Sequence, residues 1–335
     1  MFPPDERPNL TYARRMAGSR RVESRHGVEL TNLDQPLFEH AGVSKRALVD
    51  YLDAISGRIL PELRDRPLSV IRVTGDQAPF MQKNVAKYTP DWVATMPLWA
   101  EASKRTVNYA LCNDRRTLLW FANQRAVEYH PTLSRADRLD RATHLVLDLD
   151  PPADAGFGQA VAAAHLVRQA LTDAGLEGAV KTSGAKGVHV IVPITAHATM
   201  EDASAATRAI ARRAAELDPG VATTAFVKDE REGKVFVDAT RTGGATVICA
   251  YSARARPGVP VSFPVGWADL DAVAPADFTI ANVVDLLGDR DPWADALPAA
   301  QLLPAGLVAE GHEIPIARVA AMHEGKRRKR AQRAR

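Results

Sequence analysis

The chain has almost no cysteine: Cys112 and Cys249 are the only two in 335 residues and lie far apart. Neither a CxxC redox motif nor a four-ligand zinc site can be built from cysteine, so no zinc is expected. Cysteine poverty of this kind makes the cytoplasm the expected compartment. A run of about 18 apolar residues is also missing, which excludes a transmembrane helix and with it a membrane partner. The N-terminus, Met-Phe-Pro-Pro-Asp-Glu-Arg, lacks the charged-then-apolar order of a secretory signal. Lysine is scarce as well: of 43 basic residues 10 are Lys and 33 Arg. That bias fits bidentate phosphate contacts, and equally a GC-rich genome that favours Arg codons.

What remains is 46% hydrophobic and 25% charged, the profile of a soluble globular protein with enough material for a large core. Length predicts about two domains, or one large α/β unit with additions. The net charge of +3 hides an asymmetry, because seven positive charges fall in residues 326–335. The remainder carries −4, so any nucleic-acid surface on it has to be a local patch.

Residues 1–30 carry scattered Arg and few large apolar side chains, which predicts an extension that packs only in part. The apolar spacing over 37–63 is helical, with Ser44 as the N-cap. Short apolar runs at 68–73, 107–111 and 117–122 mix strand and helix signals. Over 143–150, His144, Val146, Asp148 and Asp150 fall on one side of an extended chain and three leucines on the other, a strand ended by Pro151-Pro152. A helix is predicted over 158–174, strands over 179–183 and 188–194 flanking a Gly-rich turn, and an Ala-rich helix over 200–217. Strand character returns at 235–238 and 246–252, and a helix is predicted over 280–287. From residue 296 the chain reads as a tether, with a pattern for one short helix before the basic run.

Asp148 and Asp150, two apart on a strand, project from one face roughly 6–7 Å apart. Burying such a pair is costly unless a cation neutralises it, and hard oxygen ligands suit Mg²⁺ or Mn²⁺. A solvated strand end bearing two acids is the other reading. Asp238 closes a second apolar strand and is followed by Arg241; converging on the pair, it completes a two-metal site, and by itself it caps a turn. Ser183, Lys186 and His189 surround the turn containing Gly184 and Gly187, either a phosphate cradle of freed N–H groups or an ordinary hairpin. Arg254 and Arg256 alternate on an extended segment, as a phosphate grip or as edge-strand charges.

The order of these pieces resembles the polymerase domain of bacterial ligase D, in the archaeo-eukaryotic primase superfamily, over about residues 30–293. The family's DLDP strand is matched by Asp148-Leu-Asp150-Pro151, its SGxKGxH by Ser183 through His189, and its strand-end Asp with Arg three residues later by Asp238 and Arg241. SxRARPG is present as Ser252 through Gly258, EhHP as Glu128 through Pro131, and FFQK and PDW as Phe80-Met-Gln-Lys83 and Pro90-Asp-Trp92.

The resemblance implies an α/β (α+β) primase-like fold: an N-terminal subdomain over 31–125 against a catalytic subdomain over 126–295, the active site between them. It implies a template-dependent nucleotidyltransferase that adds nucleotides, preferentially ribonucleotides, to primer ends at short DNA gaps in end-joining repair. Asp148, Asp150 and Asp238 hold two Mn²⁺ or Mg²⁺ ions; His130, Ser183, Lys186, His189, Arg241, Arg254 and Arg256 bind the nucleotide; Lys45, Phe80 and Lys83 meet DNA. Gapped or nicked DNA and (r)NTPs are the implied partners, with a nucleoid location.

Departures are specific. The family's two 5′-phosphate lysines, ten residues apart, fall at Gln35 and Lys45, and one of two template-stacking aromatics is Met81. Without ligase or phosphoesterase segments after residue 300, the chain resembles the stand-alone actinobacterial primase-polymerases, which implies a separate ATP-dependent ligase and end-binding repair factors as partners. Two other classes are weighed. A haloacid-dehalogenase-type phosphatase also uses a strand-end DxD, but Pro151-Pro152 at mid-chain argues against it. A catalytically silent DNA-repair scaffold needs no acidic triad.

Overall fold

The structure, a computed structural model, describes residues 23–74, 77–100 and 104–316. Its chain begins with a short hairpin, β1 (Glu23–Arg25) and β2 (Val28–Leu30). Val28 and Leu30 are buried, so this end of the expected extension is part of the core. Two helices follow, α1 (Lys45–Ala54) and α2 (Ser56–Leu63). Ser44 caps α1 by accepting from the Ala47 N–H at 3.4 Å. The single apolar period over 37–63 is interrupted at Ile55, which both helices share as a cap.

Five strands and a helix complete the first half: β3 (Pro67–Thr74), β4 (Gln77–Gln82), β5 (Thr95–Ala100), β6 (Arg105–Leu111), α3 (Arg115–Asn123) and β7 (Ala126–Pro131). The ambiguous run at 117–122 is helical because Asp114 accepts from the Thr117 N–H at 2.8 Å and the buried face of α3 is continuous. The sheet runs β4-β3-β6-β5, and β7 pairs with β3. Residues 126–131 thus extend this sheet.

The second half comprises β8 (His144–Asp150), α4 (Phe157–Asp173), β9 (Ala179–Thr182), β10 (Val188–Pro193), α5 (Met200–Leu217), β11 (Ala222–Thr223), β12 (Val235–Asp238) and β13 (Pro264–Val265). Its sheet has the order β11-β12-β8-β10-β9-β13, antiparallel except for β11 with β12. Every residue of β9, β10 and β12 is buried, as expected of strands inside a layer. Thr199 caps α5 by accepting from the Asp202 N–H at 3.0 Å. Small alanines on α4 and α5 let both helices lie close on the sheet.

Residues 246–252 form no regular strand and turn at Ala250 and Tyr251, the latter with φ +64°. They run beside β7 through single bonds, Val247 N–H to the Pro131 carbonyl and Cys249 N–H to the Tyr129 carbonyl, each 3.2 Å. Three short helices follow: α6 (Val283–Leu287), α7 (Pro292–Ala296) and α8 (Ala305–Glu313). The expected tether from residue 296 is in part a docked element, because Glu310 of α8 bridges Arg212 and Arg213 of α5 at 2.7 and 2.5 Å. The basic run 326–335 lies outside the described residues. The halves are joined through their interior, where the buried Tyr51 hydroxyl donates to the Tyr251 carbonyl at 2.7 Å. No helix among the described residues is long and apolar enough to cross a membrane.

Candidate active site

Sheet register builds the site. Asp148 on β8 is the direct cross-strand partner of Asp238 on β12 and, on its other side, of His189 on β10. Direct partners on one face stand about 4.5–5.5 Å apart, so three strands deliver these side chains to one row. Asp150, two residues along β8, shares that face. Ligand oxygens of Asp148, Asp150 and Asp238 all lie within 4.8 Å of one another. Asp148 and Asp238 are buried, while Asp150 opens toward solvent.

Buried carboxylates so close repel unless compensated. Arg241 supplies part of the compensation, its Nε 3.0 Å from Asp148 Oδ2 and 3.3 Å from Asp238 Oδ2. His189 Nε2 lies 3.2 Å from Asp148 Oδ1. Burial opposes the Asp148 carboxylate, yet His189 and Arg241 together hold it well below the usual range. Asp150 has the opposite fate: burial and the neighbouring Asp148 push it up to about 6. Three convergent oxygen donors with residual negative charge are the donor set that Mg²⁺ and Mn²⁺ prefer. The residues present therefore fit a divalent metal.

Asp148 and Asp150 open on a cavity of about 680 Å³ whose walls carry His130, Ser183, Lys186, Arg254 and Arg256, with Lys228, Arg231 and Lys234 also lining it. An acidic floor under cationic walls is complementary to a metal-bound polyphosphate. Among the walls, Glu128 is an organiser. It accepts from His130 Nε2 at 2.9 Å and from the Ala255 N–H at 3.0 Å, and lies 3.3 Å from Arg254 Nε. Burial works against the Glu128 carboxylate, but His130 and Arg254 keep it below its ordinary value. His130 itself is lowered by burial, against the pull of Glu128.

The glycine turn, for which the sequence allows a cradle or an ordinary hairpin, is hydrogen-bonded within itself. The Ser183 hydroxyl oxygen accepts from the N–H groups of Ala185 at 3.2 Å and Gly187 at 3.1 Å, so these donors are engaged inside the turn. Arg254 Nη1 donates to the Ser183 carbonyl at 3.0 Å and Lys186 to the Ala153 carbonyl, fixing the turn against the rest of the wall. Gly184 has φ +68°, and a Cβ there would meet Ser262 N at 2.9 Å.

Arg241, expected at phosphate or sugar, lines the cavity and also reaches Asp148 and Asp238. The three residues expected at DNA lie away from the cavity lining. Phe80 and Met81 are exposed on β4 and Lys83 follows them into solvent. Lys45 is only 2% exposed; its Nζ donates to the Thr31 carbonyl at 2.6 Å and Asn123 Oδ1 at 2.7 Å. Gln35 Oε1 accepts from Arg125 Nη2 at 2.8 Å.

Sequence reading missed Glu128 as an anchor and the cations at 228, 231 and 234. Their signal is a mixed-charge stretch, 228–234, immediately before the β12 strand that ends in Asp238. It also missed Lys181, 1% exposed on β9, with Nζ 2.8 Å from His189 Nδ1.

Comparison with known proteins agrees with this geometry. The family model described as "LigD, primase-polymerase domain" matches residues 44–293. The chain is 32% identical over 280 residues to the bifunctional non-homologous end joining protein LigD of Bacillus subtilis, covering 82% of this chain and 44% of that protein. To the multifunctional LigD of Mycolicibacterium smegmatis it is 31% identical over 281 residues, covering 82% and 36%. The chain thus spans less than half the length of these relatives. Its fold superimposes with a TM-score of 0.73 and 29% identity on the polymerase domain of Mycobacterium tuberculosis ligase D in complex with DNA, covering 81% of this chain and 97% of that one. Fold, acidic cluster and matches define the class, a DNA-directed nucleotidyltransferase of archaeo-eukaryotic primase-like architecture. The chain belongs to the LigD primase-polymerase domain family.

Proposed function

We propose that this chain extends primer 3′ ends at short DNA gaps or breaks during end-joining repair, template-directed and preferring ribonucleotides, by two-metal-ion phosphoryl transfer. The observation that carries the reading is the Asp148, Asp150 and Asp238 cluster, its ligand oxygens within 4.8 Å, with Asp148 and Asp150 lining a cation-walled cavity. Mn²⁺ or Mg²⁺ held there supplies activation of the primer hydroxyl and charge neutralisation on the leaving pyrophosphate.

The chain's own residues do the rest. Lys186, Arg254 and Arg256 neutralise the triphosphate oxygens, and Ser183 shapes the turn that carries Lys186. His130, held through Nε2 by Glu128, presents its ring to the cavity beside the nucleotide sugar. Arg231, whose guanidinium carbon lies 3.9 Å from the Phe236 ring centroid, adds a positive charge to the cavity lining. Phe80 and Lys83 meet the template at a distance from the cavity. The relatives' names refer to non-homologous end joining, which supports a repair setting with end-binding factors and an ATP-dependent ligase that seals the product.

The test is extension of a labelled primer on DNA with a one-to-three-nucleotide gap, with rNTPs or dNTPs and Mn²⁺ or Mg²⁺. Wild type adds nucleotides in a metal-dependent way, faster from rNTPs, and Asp148→Ala/Asp150→Ala does not. DNA binding without addition under any of these conditions would favour the scaffold reading.

A further inference from the structure

The row of cross-strand partners continues past the metal-binding face. Asp238, Asp148, His189 and Lys181 are consecutive direct partners across β12, β8, β10 and β9. Lys181 is buried on β9, one strand in from the edge strand β13, a charged side chain in a place where hydrophobic residues are the rule. Its Nζ has two protein partners, His189 Nδ1 at 2.8 Å and Ser262 Oγ at 2.6 Å.

The direction of each bond follows from its neighbours. The Ser262 hydroxyl donates to the Thr182 carbonyl at 2.9 Å, so toward Lys181 its oxygen accepts. His189 Nε2 faces an Asp148 carboxylate oxygen at 3.2 Å, and only an N–H is stable there. With its proton on Nε2, the neutral ring offers Nδ1 as an acceptor, and Lys181 fills it. A lysine satisfies this arrangement as ammonium or as amine, since either has hydrogens for both acceptors. Its remaining position faces a cavity of about 40 Å³ lined by Glu62, Arg66, His144, Cys249 and Trp293, large enough for water.

We propose that Lys181 is a positioning residue for metal binding: by donating to His189 Nδ1 it fixes the Nε2–H tautomer, and that N–H holds Asp148 in its ligating orientation. The inference rests on the metal-binding reading of the Asp148 cluster. It assigns His189, in the absence of nucleotide, to the support of a ligand and not to the phosphates. Partners that orient a metal ligand in this way are commonly worth 10–100-fold in affinity.

The experiment is long-range ¹H–¹⁵N NMR of the imidazole rings in metal-free wild type, with His189 assigned by its loss in His189→Asn. A protonated Nε2 with an unprotonated Nδ1 is expected; a protonated Nδ1 overturns the proposal without any Lys181 variant. In Lys181→Met, where Asp148 alone still favours Nε2–H, this preference should weaken to a measurable mixture of tautomers, and Mn²⁺ affinity of the free protein, read by electron paramagnetic resonance, should weaken about tenfold. Unchanged affinity and tautomer in a folded Lys181→Met would also overturn it. If that variant does not fold, Ser262→Ala, which removes one anchor of Lys181, should move both readouts the same way by less, and no movement counts against the proposal. Failure of wild type to bind Mn²⁺ at all would sink the two-ion reading instead, while the tautomer still decides the role of Lys181.

Discussion

Arg241 Nε donates to Asp148 Oδ2 at 3.0 Å, so a guanidinium sits against the carboxylate that is also the centre of the acidic cluster. Arg241 reaches Asp238 Oδ2 at 3.3 Å from the same nitrogen. In the metal-free protein it does part of what a divalent cation does, offsetting the mutual repulsion of buried carboxylates. Arg241→Gln should therefore cost the metal-free protein roughly 1–2 kcal/mol, the scale of a hydrogen bond to a charged group that is partly open to solvent. Saturating Mn²⁺ should recover most of that loss. Thermal melting with and without Mn²⁺ checks it: the metal-induced rise should be larger in the variant, and equal rises would contradict the role given to Arg241.

Metal affinity should fall as pH drops through about 6, because Asp150, raised to about 6 by burial and then by Asp148, has to lose its proton to ligate. The sign is fixed by the acid: below about 6 the proton competes with the metal, above it the carboxylate is already ionised. Mn²⁺ titrations between pH 5 and 8 should show a plateau at the alkaline end and about a tenfold loss per unit well below the Asp150 value. A flat profile would mean that Asp150 is not a ligand.

Glu128 gathers His130, Arg254 and the Ala255 N–H around one carboxylate. Glu128→Gln keeps the shape and removes the charge, so both side chains lose a fixed position on the cavity wall. The expected result is a nucleotide KM raised about tenfold, near 1.4 kcal/mol, with little change in Mn²⁺ affinity. An effect on metal binding as large as that on KM would show that Glu128 acts on the floor of the site as well.

The acidic triad was legible in the sequence because strand alternation is local: Asp148 and Asp150 share a face whatever the strand pairs with, and Asp238 marks the end of a second apolar run. Lys181 and Glu128 were not legible for the converse reason. The meaning of Lys181 depends on the β9–β10 register that sets it opposite His189. That of Glu128 depends on Arg254, far away in sequence and close only in the fold. Element boundaries failed where tertiary context overrode local pattern. The apolar period over 37–63 gave no sign of the break at Ile55, and the β-rich composition of 246–252 did not secure regular pairing because that segment meets β7 through isolated bonds only.

Gly187 is required by a close approach and not by its backbone angle. A Cβ there would stand 2.4 Å from the Leu149 carbonyl oxygen, on the strand residue that precedes Asp150. Gly187→Ala should destabilise by about 1–3 kcal/mol through displacement of backbone, and should weaken Mn²⁺ binding because the displaced segment carries a ligand. Gly158→Ala is the control: it lies in α4 with nothing within 4 Å of the added Cβ and should be neutral or stabilising by up to about 1 kcal/mol. Chemical denaturation and Mn²⁺ titration of both variants separate the two effects.

Recognition of a 5′-phosphate across a gap should be weak. The two positions that family resemblance assigns to it are both engaged within the protein, Gln35 with Arg125 and Lys45 with Thr31 and Asn123. Burial, and then the nearby Arg125, lower Lys45 to about 8. Its ammonium therefore already has less charge-stabilising contact than it would have in water, and a phosphate would have to displace two short hydrogen bonds to reach it. Gapped substrates with and without a downstream 5′-phosphate should be extended at rates within about threefold, or ~0.7 kcal/mol. Gln35→Lys alone should not restore strong stimulation, because it sets a third cation beside Arg125 and Lys45 and lowers Lys45 further. A stimulation of tenfold or more in wild type would show that Lys45 leaves Thr31 and Asn123 when DNA binds, and Lys45→Met should then abolish it.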